Sequence, residues 1–346
     1  MADFAFTRHE TTHTTEATKT VPLTCHGHSR PITHLSFSSL LASSGTASQY
    51  YMISACKDNN PMLRDGLTGD WIGTFIGHKG AVWSVRLSED ATIAATGSAD
   101  FSAKVWDTFT GETLATLEHN HIVRAVAFPP GKEPRVLATG GMEKKLRIFD
   151  LSRVGSGVGA NGTNGTGPEV PSYEIGEWVH QGSIKSIIWT RDPNVLITAC
   201  DDKKVRWWDL RSRSCIAMYE VEGTIGSCEL STSSSEGTLS VASGKTAYFF
   251  SSTQPGQLIR SVTLDREVAS VALNGEHGRF VTGSPSDTYI RVWDFESEGE
   301  IEMGKGHHGP VWTTAFSPDG KLYASGSEDG TIKLWKCTQG SYGLWR

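Results

Sequence analysis

Three stretches of the chain carry the same four polar side chains at the same spacing. In the last, 306–336, His307 lies 28 positions before Trp335, Ser325 ten before it and Asp329 six before it. His78, Thr96, Asp100 and Trp106 repeat this frame without slippage, and so do His180, Thr198, Asp202 and Trp208. Between these points lie short alternating or β-branched runs, PVWTTAF, LYASGS and TIKLW, separated by the turn signals Pro318-Asp319-Gly320 and Glu328-Asp329-Gly330. Such a unit reads as short antiparallel strands joined by tight hairpins. One unit cannot bury its apolar faces alone, so copies must stack and the array must close. A period of about 42 residues is that of four-stranded propeller blades. The chain is therefore predicted to be all-β, a single closed domain folded as a seven-bladed β-propeller.

Further copies are degenerate, but they fill the remaining length. The His position falls on His28, His119, Glu222 and Asp265, which with His78, His180 and His307 gives the seven. The first unit has Ser54 and Asp58 in frame and Arg64-Asp65 where Trp-Asp is expected. The third substitutes Glu143 and Phe149, the fifth Gly244 and Phe250, and the sixth keeps Asp287, Trp293 and Asp294. Residues 1–19 are polar and Thr-rich and are expected to form a disordered tail, leaving 20–346 as the propeller. Val21–Cys25 is a spare strand, expected to pair beside Thr331–Lys336 as the outer strand of blade seven. Residues 152–170 are rich in Gly, Ser, Asn and Thr. They read as a flexible surface loop within one unit.

The frame has a physical rationale. A buried Trp needs an acceptor for its indole N–H. The hydroxyl ten residues earlier, on the neighbouring strand, provides it and donates in turn to the His. The other N–H of the His goes to the turn Asp, which also accepts from backbone amides. Ser325, His307 and Asp329 also match the components of a hydrolytic triad. Threefold repetition, and a place between strands rather than in a cleft, favour the structural reading, so no catalytic residue is assigned. Gly157-x-Gly159-x-x-Gly162 matches a dinucleotide fingerprint, but Gly165, Gly167 and Pro168 forbid the helix it requires. The six cysteines include no CxxC pair and read as reduced thiols. No cofactor, metal or small-molecule substrate is expected. A net charge of -6 argues against nucleic-acid binding by bulk charge, and no apolar run is long enough to span a bilayer. These features point to the cytoplasm and nucleus.

Candidate contact residues come from slots that recur between units. Trp83 and Trp312 lie five residues after the frame His, where the other units have Thr33, Arg124, Lys185, Ser227 and Ser270. These positions begin the innermost strands and can line the mouth of the central channel, where a Trp is either an exposed partner anchor or packed under a loop. Lys57, Asp201 and Glu328 precede the turn acids of their hairpins and should stand around the same rim. An aromatic and Arg centre among charges of both signs suits a protein interface. Lys144-Lys145 and Lys203-Lys204 occupy equivalent hairpins, with Arg147 and Arg206 nearby, and could form a local phosphate- or RNA-contacting patch or simply solvated turns.

The frame resembles the WD-repeat family, whose fold is the β-propeller. Within it, five stretches resemble the Strap/Unrip group, the serine/threonine kinase receptor-associated proteins: PLTCHGHSRPI (22–32), ISACKDNNPMLRDGLTGDWIGTFIGHKGAVW (53–83), ADFSAKVWD (99–107), GPVWTTAFSPDGKLYASGSEDGTIKLW (309–335) and YGLW (342–345). With weaker matches the resemblance covers residues 21–345, and Arg64-Asp65 is its most specific part. The long N-terminal tail and the Gly-rich insertion depart from the group. The resemblance implies a non-enzymatic adaptor of the survival-of-motor-neuron (SMN) complex, which loads Sm proteins onto small nuclear RNAs. Its implied partners are Gemin-type Sm-like subunits, with any RNA contact weak or indirect. In animals the group is also linked to transforming-growth-factor-β receptor signalling. A second reading is a propeller like subunit i of translation initiation factor three, to which the sequence is also related.

Overall fold

The computed structural model describes residues 21–41, 49–154, 170–231 and 237–345. The predicted tail 1–19 and most of the predicted loop 152–170 lie outside the described residues. Among those described, 28 strands form seven four-stranded antiparallel sheets. In six sheets the strand order follows the sequence. In blade one, for instance, Ile32–Phe37 is innermost, followed outward by Tyr51–Cys56, Met62–Asp65 and Trp71–Thr74. The seventh sheet is completed from the other end of the chain. Leu23–Cys25 lies beside Ile332–Lys336, with Leu23 opposite Leu334 and Cys25 opposite Ile332.

The apolar residues that alternate along each strand do not meet at one centre. They form seven clusters, one at each seam between neighbouring blades. Between blades one and two, Leu63 and Phe75 pack with Val85 and Trp106. The seam between blades seven and one holds Leu334, Ile332 and Cys25 against Ile32, Leu35 and Met52. A ring whose seven seams are all filled has no exposed apolar blade face left to cover. Near the axis, hydroxyls reach across seams: Thr33 donates to the Val82 carbonyl (2.6 Å) and Val126 N–H donates to Ser84 (3.3 Å).

Candidate functional site

Five of the seven inner-strand positions singled out at the channel mouth share one backbone feature, whereas Ser270 pairs in regular register opposite Gly283. Thr33, Trp83, Arg124, Lys185 and Trp312 are each the extra residue of a β-bulge at the start of an inner strand. Trp83, for example, sits between Val82, opposite Ser98, and Ser84, opposite Gly97. A bulge turns one side chain out of the pleat. The five therefore leave the packed seams, and all line one cavity of about 470 Å³ at the axis.

The side chains there are tied to one another. The Arg124 guanidinium lies 4.9 Å from the Trp83 ring centroid, and Lys57 Nζ lies 5.9 Å from it. Arg124 and Lys185 share Asp201, at 3.8 and 2.9 Å. Lys185 also donates to the Ile225 carbonyl of the next blade (2.7 Å). Burial pushes the Arg124 pKa down, and Asp201 opposes this. The Trp312 indole N–H donates to Glu328 (2.6 Å) while its ring stays open to solvent. The two tryptophans therefore differ. Trp83 carries two cations over its ring, and its indole N–H is buried without an acceptor, so Trp312 is the accessible aromatic.

The cavity has a charged floor that sequence reasoning missed. Glu229 of blade five accepts from Arg86 of blade two (3.0 Å) and from His34 Nε2 of blade one (2.9 Å). Val85 N–H donates to His34 Nδ1 (3.3 Å), so the proton of the neutral ring is on Nε2. Although burial works against it, Arg86 and His34 hold the Glu229 carboxyl down to about 2. Arg86 and Glu229 also line a second cavity of about 710 Å³ on the opposite side of the ring. They therefore lie between the two cavities.

Away from the mouth, the four-point frame forms as hydrogen-bond chains inside the seams. In blade two, the Trp106 indole donates to Thr96 (2.9 Å) and Thr96 donates its one hydroxyl proton to His78 Nε2 (2.6 Å), so His78 Nδ1–H donates to Asp100 (2.8 Å). Blade seven repeats this with Trp335, Ser325, His307 and Asp329 at 2.8, 2.8 and 3.1 Å. Blade four does not complete the chain. Trp208 and His180 meet at Thr198, but His180 Nδ1 has no partner. Asp202 binds Arg206 instead (2.8 Å), which corrects the expected His180–Asp202 link. The physical reason is position: Arg206 stands four residues after the turn acid and offers a guanidinium to the same oxygens. Arg147 and Arg291 take Glu143 and Asp287 in the same way. Where Lys104, Lys333 or Met62 holds that position, the His keeps its acid. Without an acid at Nδ1, burial and Arg206 push the His180 pKa down to about 4.

The remaining candidates resolve on the same geometry. Arg147 and Arg206 are engaged by turn acids and Lys145 by Glu174 (3.0 Å). Of the proposed basic patch, Lys144 and Lys203 stand exposed. One trio, His28, Cys56 and Asp58, brings metal-type ligand atoms within 4.8 Å of one another. It lies in the blade-one frame, where His28 already bonds Asp58 (2.9 Å) and Ser54 (2.8 Å). The Cys56 thiol occupies the place of Ser98 in blade two, donating to Arg30 as Ser98 donates to Gly80. These contacts fit a frame position better than a metal centre.

Comparison with known proteins agrees with the frame. A family model described as "WD domain, G-beta repeat" matches residues 69–107, 174–209 and 300–336, the three complete copies. The chain is 43% identical over 333 residues to the serine-threonine kinase receptor-associated protein of Gallus gallus, covering 95% of this chain and 87% of the relative. It is 40% identical over 316 residues to the protein of that name from Dictyostelium discoideum, covering 91% and 98%. Similarity to eukaryotic translation initiation factor 3 subunit I of Culex quinquefasciatus is lower, at 29% over 332 residues, covering 90% and 95%.

Proposed function

Because the chain belongs to the serine-threonine kinase receptor-associated protein family of WD-repeat propellers, we propose that it is a non-enzymatic scaffold that holds a partner protein at the channel mouth. The observation that carries this reading is the set of bulged residues converging on one cavity. Trp312, Arg124 and Lys185 present an aromatic, a stacked guanidinium and an ammonium around a charged floor. A surface of this composition concentrates binding energy in a few large side chains. Acidic groups share the rim at Asp201 and Glu328, which favours protein over nucleic acid, so RNA contact would be indirect.

The partner proposed is a Gemin-type Sm-like subunit of the SMN complex, which places the chain in assembly of spliceosomal ribonucleoproteins in the cytoplasm and nucleus. The relatives' name also describes association with serine-threonine kinase receptors, a role open to the same surface where such receptors exist. The translation-factor reading has weaker support, 29% identity against 43%. Affinity purification of the chain with mass spectrometry separates the two. Recovery of Sm-like subunits is expected, and recovery of the initiation-factor complex in their place would overturn the assignment.

A further inference from the structure

The face of the ring that carries the mouth is unequal in its two halves. On blades two to four it exposes Ile76, Phe101, Met142, Trp178 and Val179, all large apolar side chains open to solvent. Counted from the frame His and turn acid, the matching positions of blade seven are Lys305, Gly306, Gly330 and Glu328. All five belong to one end of the blades. Ile76, Trp178 and Val179 lead into the frame His residues, whereas Phe101 and Met142 flank turn acids. One contact passes between blades two and three there: the Phe101 ring lies 5.4 Å from that of His121, next to Ile122, whose carbonyl accepts from Met142 N–H (3.0 Å) within blade three.

Two of these residues also have a backbone that bulky side chains disfavour. The hairpin holds the residue after the turn acid in the left-handed region, where blade one uses Asn59 (φ 73°) and blade seven Gly330 (φ 77°). Blade two places Phe101 there, at φ 67°, and Trp178 has φ 63°. Asn and Gly accept this conformation, whereas an aromatic residue is strained by it. Exposed aromatic surface and strained backbone both work against folding, and they coincide in one arc. Lys144 (φ 62°) and Lys203 (φ 64°) fill the same turn slot on blades three and four. Both are exposed, and neither has an ion pair among the described residues.

We propose that the arc across blades two to four is a second docking surface, for a partner segment in which apolar side chains alternate with acidic ones. The apolar residues set the first requirement, and Lys144 and Lys203 set the second. This surface does not depend on the mouth reading.

The probe is a fluorescein-labelled synthetic peptide alternating Leu and Phe with Asp and Glu, titrated against the full chain by anisotropy. Binding is expected, and Phe101→Asn with Trp178→Gly should weaken it by ~tenfold or more. The same pair should leave the thermal midpoint unchanged or raised, because Asn and Gly relieve the strain. Lys144→Glu with Lys203→Glu should weaken binding and flatten its salt dependence. Arg124→Ala should leave it unchanged, which separates this surface from the mouth. No binding by the wild-type chain, or equal binding by the Phe101/Trp178 pair, would overturn the proposal. So would capture of phosphatidylserine vesicles in preference to the peptide, if the same pair abolished that capture.

Discussion

At the residue scale, one position decides which partner the turn acid takes. Arg206, Arg147 and Arg291 each bind the acid four residues earlier, whereas Lys104 and Lys333 leave Asp100 and Asp329 to their histidines. A guanidinium presents a planar fork matched to a carboxylate, and an ammonium does not. Arg206→Lys should therefore return Asp202 to His180 and raise the His180 pKa from about 4 toward its ordinary range. An imidazole titration by nuclear magnetic resonance would show it, and an unmoved pKa would refute the rule. In the wild type, the unfolded His180 takes up a proton below about 6.5 and the folded one only below about 4. The contribution of His180 to stability is thus complete above the upper value and declines as pH falls between the two. Thr198→Val tests the chain itself. It leaves the Trp208 indole and the His180 ring without their shared hydroxyl, at a cost of about 1–3 kcal/mol in chemical denaturation. The frame was legible in sequence because its spacing is fixed by hairpin geometry. The exchange at Arg206 was not, because two donors compete for one acid and spacing alone does not rank them.

At the element scale, closure depends on both ends of the chain. The pairing of Leu23–Cys25 with Ile332–Lys336 followed from a strand-like run with no place in the first unit. The end of the chain carried no such signal, since SYGLWR neither alternates nor repeats. In the structure Trp345 enters the seam between blades seven and one, packs with Cys25, Ile32 and Leu334, and donates its indole N–H to the Val21 carbonyl (2.8 Å). Tyr342 donates to Asp319 and meets the Tyr50 hydroxyl at 3.2 Å. Trp345→Ala should cost about 3 kcal/mol by loss of buried aromatic surface. Deleting 21–25 should lower the thermal midpoint further, because it exposes the edge of Ile332–Lys336 as well as its apolar face. An unchanged midpoint in both variants would contradict closure by these two segments.

At the scale of the whole molecule, the channel is crossed by an ion pair whose members are far apart in sequence. Glu229 lies 195 positions from His34 and 143 from Arg86, so periodicity within a blade could not reveal it. The ring and its seven seams were readable because each blade repeats; what faces across the axis occurs once. Glu229→Gln should cost about 2 kcal/mol, since it leaves Arg86 half-buried without its counter-charge. The Glu229 carboxylate stabilises the fold above the unfolded pKa of about 4.3, and that stabilisation is lost as pH falls toward about 2. The mouth above this floor carries the proposed function. The direct test is a calorimetric titration of a purified Gemin-type Sm-like subunit into the wild-type chain and into Arg124→Ala with Trp312→Ala, the fold of each checked by circular dichroism. The prediction is a folded double variant whose affinity falls by about tenfold or more. A folded double variant that binds with the wild-type Kd would contradict the assignment of the mouth as the docking site.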